Sequence, residues 1–171
     1  IEAPLITVEV HLSNGLPGLT MVGLPETTVK EARDRVRSAL INSGYAFPAK
    51  KITINLAPAD LPKEGGRYDL PIALALLVAS EQLNTTRLNQ YEFVGELALT
   101  GGLRGVPGAI PSAMEAIKAG RRIVVSSDNA AEVGLIGGSD CLVADHLQEV
   151  CAFLAGQTSL SPPLAEAPAR D

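Results

Sequence analysis

The segment ITVEVHLS, from Ile6 to Ser13, alternates apolar and polar residues. That is the two-residue period of a half-buried strand. The run NGLPG from Asn14 to Gly18 is turn chemistry, and Leu19 to Gly23 reads as a second strand, so the two predict a β-hairpin. The period then changes. Pro25 suits a first helical turn, and Val29, Ala32, Val36, Ala39 and Leu40 fall on one helical face. Thr28 and Glu31 have capping-box spacing, and Asn42-Ser43-Gly44 closes the helix with Gly44 as its left-handed cap. Lys50 to Pro58 returns to strand alternation, with Ile52, Ile54 and Leu56 on one side.

A loop from Ala59 to Tyr68 follows, and Asp69 is placed to cap the next helix. That helix is apolar on nearly every side through Val78, which predicts burial at the centre of the domain. Tyr91 to Gly105 reads as two strands meeting at Gly101-Gly102, and Pro107 to Gly120 as a helix. A strand (RRIVVSS), a short helix (NAAEVGLI), a strand (DCLVADH) and a last helix (LQEVCAFLAG) complete the order. Alternating strand and helix predicts parallel pairing in the back half, against antiparallel hairpins in the front half. The expected class is therefore α+β, a mixed α/β domain over residues 1–156. The stretch from Gln157 to Asp171 is rich in Pro and Ala, lacks an apolar period, and reads as an exposed linker toward a further domain.

Length and composition fit this picture. The chain has 171 residues, the size of one domain. Hydrophobic residues make up 46% but aromatics only 4%, so the core is aliphatic. A net charge of −5 removes the strongly basic footprint of a dedicated nucleic-acid binder. Cys141 and Cys151 form no CxxC pair, and His11 and His146 add no metal-ligand spacing. Two free thiols in a reducing cytoplasm is the expectation. Apolar runs fall short of the ~20 residues of a membrane span, and no signal peptide is visible. No GxxxxGK[ST] pattern occurs, so Gly65-Gly66 and Gly101-Gly102 read as tight turns rather than a phosphate cradle.

The charged residues leave more than one reading. Asp60, Glu64, Asp69 and Glu96 read as loop, cap and ion-pair residues rather than an acid/base set. Lys30, Arg33 and Arg37 share one helical side. Lys50, Lys51, Lys63, Arg67, Arg104, Arg121 and Arg122 gather at strand ends and loops. One reading is a solvated face with Glu26–Lys30 and Glu31–Arg35 pairs. The other is contact with DNA phosphate or an adjoining subunit. No aromatic platform accompanies them, which lowers the single-strand option.

Three long stretches carry a resemblance. They are GLPGLTMVGLPETTVKEARDRVRSALINSG (Gly15 to Gly44), NLAPADLPKEGGRYDLPIALALL (Asn55 to Leu77) and VGELALTGGLRGVPGAIPSAMEAIKAG (Val94 to Gly120). They resemble the N-terminal domain of the ComM/YifB family of magnesium-chelatase-like proteins, from Leu5 to Leu154. The resemblance implies a Lon-protease-like fold of ribosomal-protein-like mixed sheets packed with helices. It also implies a hexameric AAA+ ATPase beyond this chain, holding ATP and magnesium and acting as a DNA helicase or branch-migration factor in natural transformation. No cofactor is expected on this part.

Lon proteases carry a stretch like PKDGPSAG, in which Ser is the nucleophile, and a Lys in a stretch like GEITLRGRVLPIGGLKEK. Here Arg67 stands at the Ser position and Ile110 at the Lys position. An always-charged guanidinium cannot attack a carbonyl, and Ile has no proton to exchange. The implied domain is therefore non-catalytic. It supports ring assembly, and Lys30, Arg33, Arg37, Lys50, Lys51, Lys63, Arg67 and Arg104 are the candidates for DNA or partner contact. The alternatives are a divergent Lon-like serine hydrolase and a magnesium-chelatase accessory; the latter rests on the family name alone, without a ligand set.

Overall fold

The computed structural model describes residues 6–57, 66–137 and 140–163. Strand β1 (Thr7–Ser13) and strand β2 (Gly18–Val22) form where the alternation places them, but they do not pair with each other. Helix α1 (Glu26–Asn42) carries the chain across, and β3 (Lys51–Ala57) inserts between them. β3 runs antiparallel to β1, with Val10 opposite Ile54, and parallel to β2, with Met21 opposite Ile54. The expected hairpin is thus replaced by a β2–α1–β3 crossover with β1 on the far side. The reason is burial. Ile52, Ile54 and Leu56 are all buried, and the most apolar strand takes the centre, where it is covered most.

Helix α1 buries Val29, Ala32, Val36, Ala39 and Leu40, the face its period predicts. The Thr28–Glu31 box does not form. The helix starts at Glu26 behind an extended Pro25, so Thr28 already has helical backbone and cannot serve as a cap, whose own backbone is non-helical. Gly44 adopts φ +90°, and the chain leaves the helix there.

Helix α2 (Asp69–Ala79) lies at the centre, as its all-round apolarity predicts. Leu70, Ile72, Leu74, Leu76 and Leu77 are buried against α1, β1 and the strands that follow. Those strands are β4 (Tyr91–Val94), β5 (Glu96–Leu97) and β6 (Leu103–Arg104). β5 and β6 form the small antiparallel ribbon that turns at Gly101-Gly102. β4 belongs to a different sheet.

Helix α3 (Ala109–Lys118), β7 (Arg122–Ser126), α4 (Ala130–Gly137) and β8 (Cys141–Ala144) complete that second sheet, whose order is β4-β7-β8 and whose pairs are parallel, as the alternation predicts. A smaller apolar cluster fills the space under α3 and α4, built from Val94, Ala113, Ile123, Val125 and Val133. Helix α5 (Leu147–Leu154) closes onto the main core.

In the stretch read as an exposed linker, Gln157, Thr158, Ser159, Ser161 and Pro162 are exposed, and the chain touches the fold at single points. Val143 N–H donates to the Ser161 carbonyl at 2.9 Å, Leu160 packs on the main core, and Pro163 is buried. One isolated backbone bridge to β8 holds this otherwise exposed stretch. Residues 164–171 lie outside the described ones. Both cysteines are free and buried. Among the described residues no helix is long and apolar enough to cross a membrane.

Candidate functional site

The turn before α2 places Arg67, which the resemblance sets at the Ser position of Lon proteases. The Arg67 guanidinium reaches across to the start of α3, donating from Nη1 to the Pro107 carbonyl at 3.0 Å and from Nη2 to Ser112 Oγ at 2.9 Å. Ile110, which the resemblance sets at the Lys position, lies on that same first turn of α3 and is half-buried. The Arg67 guanidinium thus ends on the turn and helix that carry Ile110, bonded to Pro107 and Ser112. Gly108 between them has φ +79°, and a Cβ there would stand 3.2 Å from Arg67 Nη1. Lys63, Asp60 and Glu64 lie outside the described residues.

Beside Arg67 is a buried ion pair that sequence reading does not anticipate. Asp69 does not cap α2; the residue at the N-cap is Tyr68. The Asp69 carboxylate is 1% exposed. It accepts from Arg35 Nε at 2.7 Å, from Arg35 Nη2 at 3.2 Å and from the Leu97 amide at 3.1 Å. Burial pushes Asp69 up to about 6, against the opposing pull of Arg35 and the Leu97 amide. Burial lowers Arg35, but Asp69, Glu96 and Glu31 together hold it above its usual value. The expected Glu31–Arg35 pair gives way to Arg35–Asp69, because a buried carboxylate needs a partner far more than an exposed one does.

Gly66 permits this arrangement. A Cβ there would lie 2.7 Å from Asp69 Oδ2 and Glu96 Cγ, and 2.9 Å from Arg35 Nη2. Glu96 stands opposite Arg104 in the β5–β6 ribbon.

The Asp69 carboxylate does not suit magnesium. A hard cation requires several free oxygen ligands, whereas Asp69 is already engaged by two guanidinium nitrogens and an amide. Among the described residues no group of three or more His, Cys, Asp or Glu side chains could hold a metal ion.

The remaining basic candidates separate into two sets. Arg67 is tied to α3, and Arg121 to Glu92 at 3.2 Å. Arg33 and Arg37 instead line one groove of about 500 Å3 between α1 and the Phe47–Ala49 segment, while the Lys50 ammonium donates to Asn14 Oδ1 at 3.3 Å outside it. Gly18, on the groove wall, donates to the Lys50 carbonyl and sits opposite Lys51 in the sheet. Arg33 is 3.9 Å from Asp34, and the Arg37 guanidinium lies 6.0 Å from the Phe47 ring centroid. Lys30 is exposed on the same side of α1, one turn away.

Phe47 is the residue that sequence reading missed, because it stands in a short loop without apolar period. The two histidines fill structural places: His11 is exposed on β1, and His146 caps α5 through its Nδ1, which accepts from Gln148 N–H at 3.0 Å.

Residues 8–129 match the family described as subunit ChlI of Mg-chelatase. The chain is 76% identical over 166 residues to YifB of Salmonella typhimurium, 77% over 163 residues to YifB of Escherichia coli, and 58% over 165 residues to the competence protein ComM of Haemophilus influenzae. The chain belongs to the ComM/YifB family of magnesium-chelatase-like proteins. The alignments take in 97%, 95% and 96% of this chain but 33%, 32% and 32% of those proteins. This ComM/YifB chain thus spans about a third of the length of the curated relatives it matches. The ChlI match takes in Arg35, Arg67, Asp69 and Ile110 together with the arginines of the groove. The family reading made from the three motif stretches therefore holds.

Proposed function

We propose that this ComM/YifB domain is a non-catalytic module of an ATP-driven, DNA-processing AAA+ protein. It supports assembly of a hexameric ring, and its basic groove side offers phosphate contacts to DNA approaching the motor. The observation that carries the non-catalytic part is Arg67. It stands at the nucleophile position and spends its guanidinium on Pro107 and Ser112 beside Ile110. The name of the Haemophilus relative, a competence protein, supports a place for the longer protein in natural transformation as a cytoplasmic helicase or branch-migration factor. ATP and magnesium belong to the ATPase part beyond this chain, and its nearest partners are that part and neighbouring subunits.

The test is DNA binding by this chain, and by the full-length protein, across a salt series. With Arg33, Arg37, Lys50 and Lys51 neutralising phosphates, log K against log salt should fall with a slope of about −3. Absence of binding at low salt in both forms refutes the DNA role and leaves assembly. Labelling of the chain by a serine-directed fluorophosphonate probe refutes the non-catalytic reading.

A further inference from the structure

We propose that the groove between α1 and the Phe47–Ala49 segment is a single-stranded DNA subsite, in which Phe47 stacks on a base while Arg33 and Arg37 hold the flanking phosphates. The inference rests on the DNA reading above and adds to it a place, a strandedness and a stacking residue.

Three observations converge on it. The first is charge. The chain as a whole carries −5, yet the charged residues lining this groove are Arg33 and Arg37 against the single carboxylate of Asp34. An excess of cations on an acidic protein marks a local polyanion site rather than a general surface property.

The second is the aromatic ring. Phe47 is half-buried against the main core and lines the groove. Such a ring is ordered yet reachable. Arg37 lies 6.0 Å from its centroid, the arrangement in which a guanidinium can neutralise a phosphate beside a stacked base.

The third is the apolar wall. Pro17, Leu19, Ile41 and Pro48 line the same groove, and Ile41 is 50% exposed. Exposed apolar surface gains from covering by a base, not by a phosphate alone. The volume, about 500 Å3, falls within the roughly 300–1,000 Å3 of sites that take small organic groups.

Duplex DNA keeps its bases stacked on each other, so it can meet the cations but not the ring. An acidic peptide can meet the cations as well but brings no flat π-face. Phe47 therefore separates single strands from both.

The experiment measures binding of a labelled oligothymidylate of about 15 nucleotides, of a duplex, and of polyglutamate as competitor, at low salt, to the 171-residue chain. Phe47→Leu, which keeps apolar bulk, is expected to weaken oligothymidylate binding about 5- to 150-fold with the salt slope and duplex binding unchanged. The double variant Arg33→Gln/Arg37→Gln is expected to weaken both and to flatten the slope by about 1–2.

Phe47→Trp gives a direct readout, since the chain contains no Trp. Its fluorescence should be quenched on oligothymidylate addition and not by polyglutamate, with affinity retained. Unchanged oligothymidylate affinity in Phe47→Leu, an unquenched tryptophan, or displacement by polyglutamate at matched charge overturns the subsite while the broader DNA reading stands. Failure of the wild-type chain and the full-length protein to bind any DNA overturns both.

Discussion

Replacing Arg35 with Met should expose how much of this domain's stability is held by one buried charge. Asp69 is 1% exposed, whereas the Arg35 side chain is 20% exposed. In the folded protein Asp69 titrates at about 6, against an ordinary value of 3.8. At about 1.4 kcal/mol per unit, keeping Asp69 ionised at pH 8 already costs about 3 kcal/mol, even with Arg35 and the Leu97 amide attached. Arg35→Met removes the largest compensating partner and leaves the carboxylate beside Glu96 with the Leu97 amide alone. Breaking one side of such a pair costs about 3–5 kcal/mol, and partial solvent access to Arg35 places this case near 3.

The sign with pH follows. A carboxyl raised on folding lends stability in full below its unfolded value, and that stability is lost as pH rises through its folded value. In wild type the loss runs between about pH 4 and 6. In Arg35→Met the carboxyl rises further, so the loss extends to higher pH and the gap from wild type is wider at pH 8 than at pH 5. The assay is urea unfolding at both pH values, followed by circular dichroism. Adding Asp69→Asn to Arg35→Met should recover most of the loss at pH 8, since a neutral amide oxygen still accepts from Leu97 N–H without a stranded charge. A pH 8 loss below about 0.5 kcal/mol, or a double variant no more stable than the single, would refute the reasoning.

Gly66→Ala should lower the melting temperature by about 3–10 °C, because its methyl must displace Asp69, Glu96 or Arg35; an unchanged melt contradicts the close packing described. Ser43→Ala is expected to be neutral or to add up to about 1 kcal/mol, since Ser43 Oγ is buried without a hydrogen-bond partner. A loss of that size in denaturant titration would reveal a partner for it. His146→Ala should cost about 1 kcal/mol by removing the α5 cap, and His146→Asn, another good cap, should recover part of it in the same titration.

Periodicity located most elements because each buries its face locally. The buried residues of α1, the inward side of β3 and the all-apolar α2 are set by spacing alone. Pairing was less legible. Asn14–Gly18 looks like a hairpin turn, but nothing within that stretch shows that a strand thirty residues on is apolar enough to displace the local partner. The parallel β4-β7-β8 sheet was legible because its intervening helices leave room only for crossovers.

The candidate site divides along the same line. Positions 67 and 110 could be matched to a motif one at a time, but what occupies them depends on reach. A guanidinium is long enough to span from the turn before α2 to the first turn of α3, where a serine would end short. Asp69 was misread because a capping role assumes a solvated helix end, and this end is covered by Arg35 and Leu97. The groove was hidden for a different reason. Net charge sums over the whole chain and cancels the local excess of Arg33 and Arg37, while Phe47 becomes their neighbour only when β3 takes its place beside β2 and draws the loop before it onto α1. The single strand crossover that defeated the hairpin reading is therefore also what assembles the basic groove.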